Sequence, residues 1–122
     1  MAGASVIAVV DDDASVRTAL ASLLRSAGFV VLLFASGEEF LRSTDKISAI
    51  ECLILDWCMP GMNGLELQRT LLANGSQVPT IFLTAHVNEA RRDEALGRGA
   101  IAFLPKPFDA DALLRAVKSV HA

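Results

Sequence analysis

Five short apolar runs are the feature that most constrains the fold of this chain. They are continuous rather than alternating, which is typical of parallel strands buried on both faces of a sheet. The segments between them have the apolar spacing of amphipathic helices, as at Val16, Leu20 and Leu24. This alternation predicts an α/β fold with helices on both faces of a parallel sheet. The runs lie at residues 6–10, 29–34, 52–55, 80–83 and 101–104.

The full length of 122 residues suits one domain of this kind. We predict a doubly wound, flavodoxin-like sheet of five parallel strands in the order 2-1-3-4-5, covered by five helices. Ser36 followed by Glu39 is the pattern of a helix-opening capping box, and another helix is expected to begin at Asn63 or Gly64. The helical pattern at 88–96 has few apolar residues, so we expect that helix to be weakly held.

Charge and hydropathy exclude several functional classes. The chain has 11 basic and 14 acidic residues, a net charge of −3 and no basic cluster, which argues against direct nucleic-acid binding. The first apolar run is too short for a signal peptide or a membrane span, so we expect a cytoplasmic protein with no membrane partner. Cys52 and Cys58 lack zinc-site spacing and are expected to be buried thiols, while His121 is expected to be solvated.

Polar residues follow four of the five apolar runs. In a parallel sheet the carboxyl ends of the strands meet at one edge, where functional groups collect. We therefore expect these residues to share one crevice. They are Asp11, Asp12 and Asp13 after the first run, Asp56 after the third, Thr84 after the fourth, and Lys106, between Pro105 and Pro107, after the fifth.

This set of side chains favours phosphoryl-transfer chemistry. Two carboxylates about 4 Å apart repel by roughly 4 kcal/mol at an effective dielectric near 20, so the site needs a cation. Oxygen ligands without His or thiolate favour Mg²⁺, and a lysine opposite the metal suits phosphoryl oxygens. One carboxylate is then available as a nucleophile that forms an acyl phosphate. Asp13 is better explained as a helix cap, although a metal pair shifted by one residue, to Asp12 and Asp13, stays open.

Four motifs together resemble the receiver domain of two-component response regulators, and the likeness covers essentially the whole chain. The Thr-Ala-His and Lys-Pro-Phe segments are most similar to receivers of the FixJ/NarL group. The resemblance implies a CheY-like, doubly wound fold in a single receiver domain at 1–122, with no output domain in this chain. The motifs are VDDD at 10–13, DWCMPGMNG at 56–64, TA at 84–85 and GAIAFLPKPF at 99–108.

The resemblance also implies how the acidic residues divide their roles. Asp56 would be the phosphoacceptor for a phosphohistidine on a histidine kinase or a phosphotransfer protein. Asp12, Asp56 and the backbone carbonyl of Cys58 would bind Mg²⁺ directly, with Mn²⁺ able to substitute. Asp11 would act on the metal through water.

Other residues would contact the phosphoryl group. Lys106 and the Thr84 hydroxyl would each bind a phosphoryl oxygen, and the backbone N–H groups of Trp57 and Ala85 would complete the cradle. The Lys106–Pro107 peptide bond is expected to be cis.

A conformational switch is implied as well. Phosphorylation would draw Thr84 toward Asp56, and Phe103 would fill the space behind it. The face formed by the fourth helix, fifth strand and fifth helix would then repack and favour self-dimerisation. The side chains of Cys58 and His86, which flank the acceptor and the threonine, are candidates for tuning phosphoryl lifetime.

Alternative functions are a metal-dependent aspartyl-phosphate phosphatase, a pseudo-receiver that binds partners without phosphorylation, and a flavodoxin. The phosphatase family places a second acid two residues after its nucleophile, where this chain has Cys58. Pseudo-receivers lose acids, threonine or lysine, all of which are present here. A flavodoxin would need a hydroxyl-rich phosphate loop after the first strand. A natural single-domain regulator and the receiver half of a transcription factor both fit the sequence, and DNA would be reached only through an output domain.

Overall fold

The computed structural model describes residues 5–43, 49–86 and 88–120, so the prediction for His121 lies outside the described residues. Five parallel strands form one sheet in the order β2-β1-β3-β4-β5, which confirms the predicted topology. The strands are β1 Val6–Val10, β2 Val30–Phe34, β3 Cys52–Asp56, β4 Thr80–Thr84 and β5 Ala102–Pro105.

Asp56 and Thr84 each lie one residue beyond an apolar run but are still part of β3 and β4. Asp56 is paired with Leu83 in the ladder, and Thr84 is paired with Pro105. These polar residues are therefore held by the sheet itself rather than by a mobile loop.

Five helices occupy the described part of the chain. They are α1 Ala14–Ser26, α2 Gly37–Leu41, α3 Gly64–Ala73, α4 Glu89–Gly97 and α5 Ala110–Ser119. Each begins after a polar residue whose side chain accepts a backbone N–H of the first turn, which satisfies a donor that the helix cannot pair itself. These N-cap residues are Asp13, Ser36, Asn63, Asn88 and Asp109.

The predicted capping box at the start of α2 forms only in part. The Ser36 hydroxyl accepts the Glu39 N–H at 3.0 Å, but the Glu39 carboxylate accepts the N–H of Ala35 rather than that of Ser36. A complete capping box occurs at α3, where Asn63 and Glu66 exchange both hydrogen bonds.

Alternating strand residues enter two separate cores. Val10, Leu55 and Phe82 pack with Phe40 of α2 and Leu67 of α3 on one face. Ile7, Ile54 and Leu83 pack with residues of α1 and α5 on the other face, including Leu20, Leu24, Leu113 and Val117. The sheet is thus covered on both sides, as its continuous apolar strands require.

Helix α4 is attached to the core by one small side chain. Ala95 is its only buried residue, whereas Leu96 is 38% exposed. This agrees with the prediction of a weakly held helix.

The two cysteines have different environments. Cys52 is buried in β3, and burial raises the pKa of its thiol to about 12. The prediction of a buried thiol is wrong for Cys58, whose side chain is exposed while those of its neighbours Trp57 and Met59 are buried in the core. Among the described helices, none is both long enough and apolar enough to cross a bilayer.

Candidate functional site

The carboxyl edge of the sheet brings the predicted polar residues together. Asp11 directly follows β1, Asp56 ends β3, Thr84 ends β4 and Lys106 directly follows β5. Because β1, β3, β4 and β5 are neighbours in that order, their carboxyl ends form a continuous crevice.

A lysine bridges two buried carboxylates at the centre of this edge. The Lys106 Nζ lies 2.8 Å from Asp11 Oδ2 and 3.2 Å from Asp56 Oδ1. Asp11 is 1% exposed and Asp56 is 5% exposed. Backbone N–H groups add to this network: that of Asp13 donates to Asp11 Oδ1 at 2.9 Å, and that of Cys58 donates to Asp56 Oδ1 at 3.3 Å. The peptide bond between Lys106 and Pro107 is cis, as predicted.

The third carboxylate of the cluster, Asp12, is exposed. One carboxylate oxygen each from Asp11, Asp12 and Asp56 lie within 4.8 Å of one another. Three carboxylates face a single ammonium group, so the cluster has an excess of negative charge. Its donors are all oxygen, which fits a hard divalent cation such as Mg²⁺.

The surroundings of Asp56 make its carboxyl group harder to ionise than that of a free aspartate. Burial raises the pKa of Asp56 to about 6, the charge of Asp11 adds to that increase, and Lys106 opposes it. For Lys106, burial lowers the pKa, but the hydrogen bond and charge of Asp11, with those of Asp56, outweigh burial and leave the pKa above its usual value. The hydrogen bond from the Ser15 hydroxyl lowers the pKa of Asp13, which caps α1 as predicted.

Thr84 is buried, and its hydroxyl bonds to nearby backbone. Oγ1 accepts the His86 N–H at 3.1 Å and donates to the His86 carbonyl at 3.3 Å. Ala85 and His86 themselves are exposed. A hydroxyl held this way must exchange the His86 carbonyl for another acceptor before it can bind a ligand at Asp56.

The structure differs from the expected role of the Trp57 amide. The Trp57 N–H donates to the Leu83 carbonyl at 2.9 Å, because the ladder between β3 and β4 continues through this residue. The next N–H, that of Cys58, points to the Asp56 carboxylate. Cys58, rather than Trp57, therefore presents a backbone donor at the acceptor.

Phe103 lies in an aromatic cluster beneath the site. Its ring centroid is 5.5 Å from that of Trp57 in an edge-to-face arrangement and 6.4 Å from that of Phe82. Trp57 and Phe82 also contact each other edge-to-face at 5.1 Å. The Phe103 side chain is thus buried between β4 and the residue that follows Asp56.

An open cavity of about 450 Å³ adjoins the acceptor loop. Trp57, Cys58 and Asn63 line one side, and Arg91 of α4 lines the other. The Arg91 Nη1 lies 3.9 Å from Cys58 Sγ. The cavity thus opens beside the residues that directly follow Asp56 in the chain.

Two arginines near the site were missed by reasoning from the sequence. The guanidinium of Arg17 donates to the backbone carbonyl of Asp11 at 2.6 Å and so holds the turn after β1. In the sequence, the only sign of this role is the position of Arg17, one helical turn after the capping residue Asp13. Arg91 had no comparable signal, because its proximity to Cys58 depends on how α4 packs.

Comparisons with known proteins agree with this geometry. A family model described as the response regulator receiver domain matches residues 7–118. The response regulator protein TodT of Pseudomonas putida is 44% identical over 116 residues, which is 95% of this chain and 51% of that protein. The transcriptional regulatory protein FixJ of Bradyrhizobium diazoefficiens is 40% identical over 113 residues, 93% of this chain and 55% of that protein, in agreement with the predicted group.

A solved structure shows the same fold. The response regulator receiver protein from Burkholderia phymatum superposes with a TM-score of 0.82 at 45% identity, covering 95% of this chain and 94% of that one. The chain spans about half the length of the curated relatives it matches.

Proposed function

Since the chain belongs to the response regulator receiver domain family, we propose that it is a phosphorylation-activated signalling switch. Asp56 accepts a phosphoryl group from a phosphohistidine on a histidine kinase or a phosphotransfer protein. The observation that carries this proposal is the Asp56 carboxylate, which is buried at the carboxyl edge of the sheet and paired with Lys106.

The transfer is a single displacement at phosphorus. A carboxylate oxygen of Asp56 attacks the phosphorus, the phosphorus–nitrogen bond breaks, and its electron pair returns to the imidazole, which takes a proton from water. The Lys106 ammonium, 3.2 Å from Asp56, offsets charge on the transferring oxygens. The N–H of Cys58 donates to the Asp56 carboxylate at 3.3 Å, and the N–H of Ala85, the residue after Thr84, would provide a second donor to the phosphoryl group.

A divalent ion would be held by Asp11, Asp12 and Asp56 together with the backbone carbonyl of Cys58. When bound, Mg²⁺ or Mn²⁺ offsets the charge of the carboxylates and of the phosphoryl group. The chain modifies only itself in this scheme and turns over no external substrate. Its acyl phosphate is later lost to water, and the side chains of Cys58 and His86, which flank the acceptor and the threonine in the chain, would tune the rate of that loss.

The switch begins at Thr84. A phosphoryl oxygen on Asp56 is a charged acceptor, so the Thr84 hydroxyl would bond to it more strongly than to the His86 carbonyl. The 85–86 segment then moves, and the weakly anchored α4 repacks against Phe103 and β5. Because Phe103 is already buried here, Thr84 and α4 are the elements that change position.

The output is proposed to be transcriptional, since relatives of twice this length include a transcriptional regulatory protein. DNA would be contacted through an output domain, and the receiver would act in the cytoplasm. The alternative function, an aspartyl-phosphate phosphatase, requires a second acid two residues after the nucleophile. Cys58 occupies that position, so this alternative is not supported.

Intact-mass measurement tests the proposal. The protein is incubated with acetyl phosphate, with and without Mg²⁺, beside Asp56→Asn and the exposed control Asp93→Asn. We expect one phosphoryl group to be added in the wild type and in Asp93→Asn, only with the metal, and none in Asp56→Asn. Phosphorylation of Asp56→Asn, or no transfer from either acetyl phosphate or a phosphorylated histidine kinase, would contradict the proposal.

A further inference from the structure

The backbone carbonyl of Asp11 is held by a charged side chain from α1. The guanidinium of Arg17 donates to this carbonyl at 2.6 Å, and hydrogen bonds from a charged donor are among the stronger ones in proteins. Within the described part of the chain, no backbone N–H reaches the same oxygen. The Asp11 N–H is used by the sheet instead, where it donates to the Phe34 carbonyl at 3.1 Å. Arg17 therefore fixes the backbone at the point where the β1 ladder ends.

The orientation of this carbonyl determines where the next residue lies. A peptide unit is planar, so the Asp11 oxygen, the Asp12 nitrogen and the Asp12 Cα share one plane. The carboxylates on either side are fixed by hydrogen bonds, because that of Asp11 accepts the Asp13 N–H and that of Asp13 accepts the Ser15 N–H, each at 2.9 Å. The Asp12 carboxylate is exposed and makes no hydrogen bond to another described residue. Its position thus depends on the peptide that Arg17 holds.

Asp12 is the least restrained member of the acidic cluster. Its carboxylate oxygen lies within 4.8 Å of one oxygen each from Asp11 and Asp56, and those two acids are already held by Lys106. Mg²⁺ takes its oxygen ligands at about 2.0–2.1 Å in nearly octahedral geometry, so a small displacement of one ligand weakens binding. The placement of Asp12 is therefore the variable on which cation affinity depends most.

A guanidinium beside a cation site acts in two opposing ways. Its positive charge repels a second cation, so the charge of Arg17 by itself would weaken cation binding. Its hydrogen bond to Asp11 places the Asp12 carboxylate, which would strengthen cation binding. The direction in which affinity changes when Arg17 is replaced distinguishes the two effects.

We propose that Arg17 is a positioning residue for divalent-cation binding. By holding the peptide between Asp11 and Asp12, it keeps the Asp12 carboxylate within reach of a cation shared with Asp11 and Asp56. The inference rests on the proposed function, of which the cation is a part. Loss of an outer hydrogen bond that orients a ligand typically lowers metal affinity by about 10–100-fold, so positioning outweighs the repulsion by the guanidinium.

Titration with MgCl₂ at constant ionic strength tests the proposal without any phosphoryl donor. Two-dimensional amide NMR follows Asp13 and Cys58, whose N–H groups donate to the Asp11 and Asp56 carboxylates. We expect the Mg²⁺ dissociation constant of Arg17→Met to be at least about tenfold higher than that of the wild type.

Arg25→Met is the matched control. Arg25 lies in the same helix, and its guanidinium also donates to a backbone carbonyl, that of Val31 in β2, at 3.2 Å. The variant loses the same charge and a hydrogen bond of the same kind but leaves Asp11 untouched. We expect its Mg²⁺ dissociation constant to stay within about twofold of the wild-type value. Far-UV circular dichroism checks that both variants are folded.

Phosphorylation by acetyl phosphate over a range of Mg²⁺ concentrations provides a second readout. For Arg17→Met, the half-saturating Mg²⁺ concentration should rise by at least about tenfold. The rate at saturating Mg²⁺ should stay within about threefold of wild type, because Asp12 is then held by its bond to the cation. A merely structural role for Arg17 would lower the rate at every Mg²⁺ concentration.

Each outcome assigns the failure to one of the two proposals. Equal or tighter Mg²⁺ binding by Arg17→Met, an equal loss in Arg25→Met, or a rate of Arg17→Met that stays low at saturating Mg²⁺ would overturn the inference about Arg17 alone. Wild-type protein that binds Mg²⁺ but accepts no phosphoryl group would overturn the proposed function alone. An absence of saturable Mg²⁺ binding in the wild type would overturn both.

Discussion

The residues at the acceptor edge act mainly through their charges, which balance one another in a buried site. Asp11 and Asp56 are buried beside each other, and Lys106 is the cation that both contact. Removing any one of the three changes the charge balance of a site with little water to screen it. The effects of substitution should therefore depend strongly on pH and on divalent metal.

Asp56→Asn should stabilise the metal-free protein at neutral pH. The folded site favours the neutral acid, so between the ordinary value of 3.8 and the raised pKa of about 6 the folded protein binds more protons than the unfolded chain. Stability therefore falls as pH rises through this window. Asparagine removes that loss, worth about 1–2 kcal/mol at pH 7.5 after solvent screening.

Urea unfolding in EDTA at a series of pH values measures this effect. The stability difference between Asp56→Asn and wild type should disappear below about pH 3, where Asp56 is protonated in both the folded and the unfolded protein. Asp93→Asn, an exposed change, should show no such window. A stability difference between Asp56→Asn and wild type that grows as the pH is lowered would show that folding does not raise the pKa of Asp56.

Lys106→Met should have the opposite effect at pH 7.5. It leaves two buried carboxylates without their cation, which we expect to destabilise the metal-free fold by about 1–3 kcal/mol. Mg²⁺ should restore part of the loss, because it offsets the same charge. Denaturant unfolding with and without Mg²⁺ measures both effects, with exposed Lys118→Met as the control. Equal stability of Lys106→Met and wild type would mean that the ion pairs contribute nothing.

At the scale of elements, the close contact between α3 and β3 positions the acceptor. Gly64 begins α3, and a Cβ there would collide with the backbone oxygen of Asp56 and crowd the Trp57 backbone and the Phe82 ring. Its N–H also bonds to the Trp57 carbonyl at 3.0 Å. Only glycine allows the helix to start this close to the acceptor strand.

Gly64→Ala should therefore displace the end of β3 and slow phosphorylation. We expect at least a tenfold lower rate of transfer from acetyl phosphate, together with a stability loss of about 1–3 kcal/mol from overpacking. Gly97→Ala is a matched control, because a Cβ at that helical position meets nothing within 4 Å. If both variants phosphorylate like wild type, the contact at Gly64 has no role in positioning Asp56.

At the scale of the whole molecule, the sheet has two unlike edges. Ile101, just before β5, is 39% exposed beside α4, and Val30 on the β2 edge is 44% exposed. Only the Ile101 edge adjoins the weakly anchored helix and the strand that carries Phe103. We therefore expect a change at Asp56 to affect the Ile101 edge more than the β2 edge.

Phosphorylation should favour dimers through the α4–β5–α5 face. We expect sedimentation velocity to show a monomer in the absence of a phosphoryl mimic and a concentration-dependent dimer with beryllofluoride and Mg²⁺. Ile101→Glu should weaken that dimer at least tenfold by placing a charge in its apolar part, whereas Val30→Glu should not. A mass that is unchanged by beryllofluoride at high concentration would contradict dimerisation.

The amino-acid sequence by itself determined the strand order and most of the acceptor edge. Continuous apolar runs separated by helical patterns leave few right-handed arrangements, and parallel strands bring their carboxyl ends together. The residues that follow those runs are therefore neighbours in space. For this reason the order of residues along the chain is enough to group Asp11, Asp56 and Lys106, which the ion pairs confirm.

Only the tertiary structure decided which groups face which partner. The ladder continues one residue beyond the apolar run, so the Trp57 N–H is used by the sheet and the Cys58 N–H reaches Asp56. Exposure of the Cys58 thiol depends on how the loop after β3 packs. Sequence periodicity reports which face of an element is buried, whereas a hydrogen bond depends on distances of a few tenths of an ångström between elements far apart in the chain.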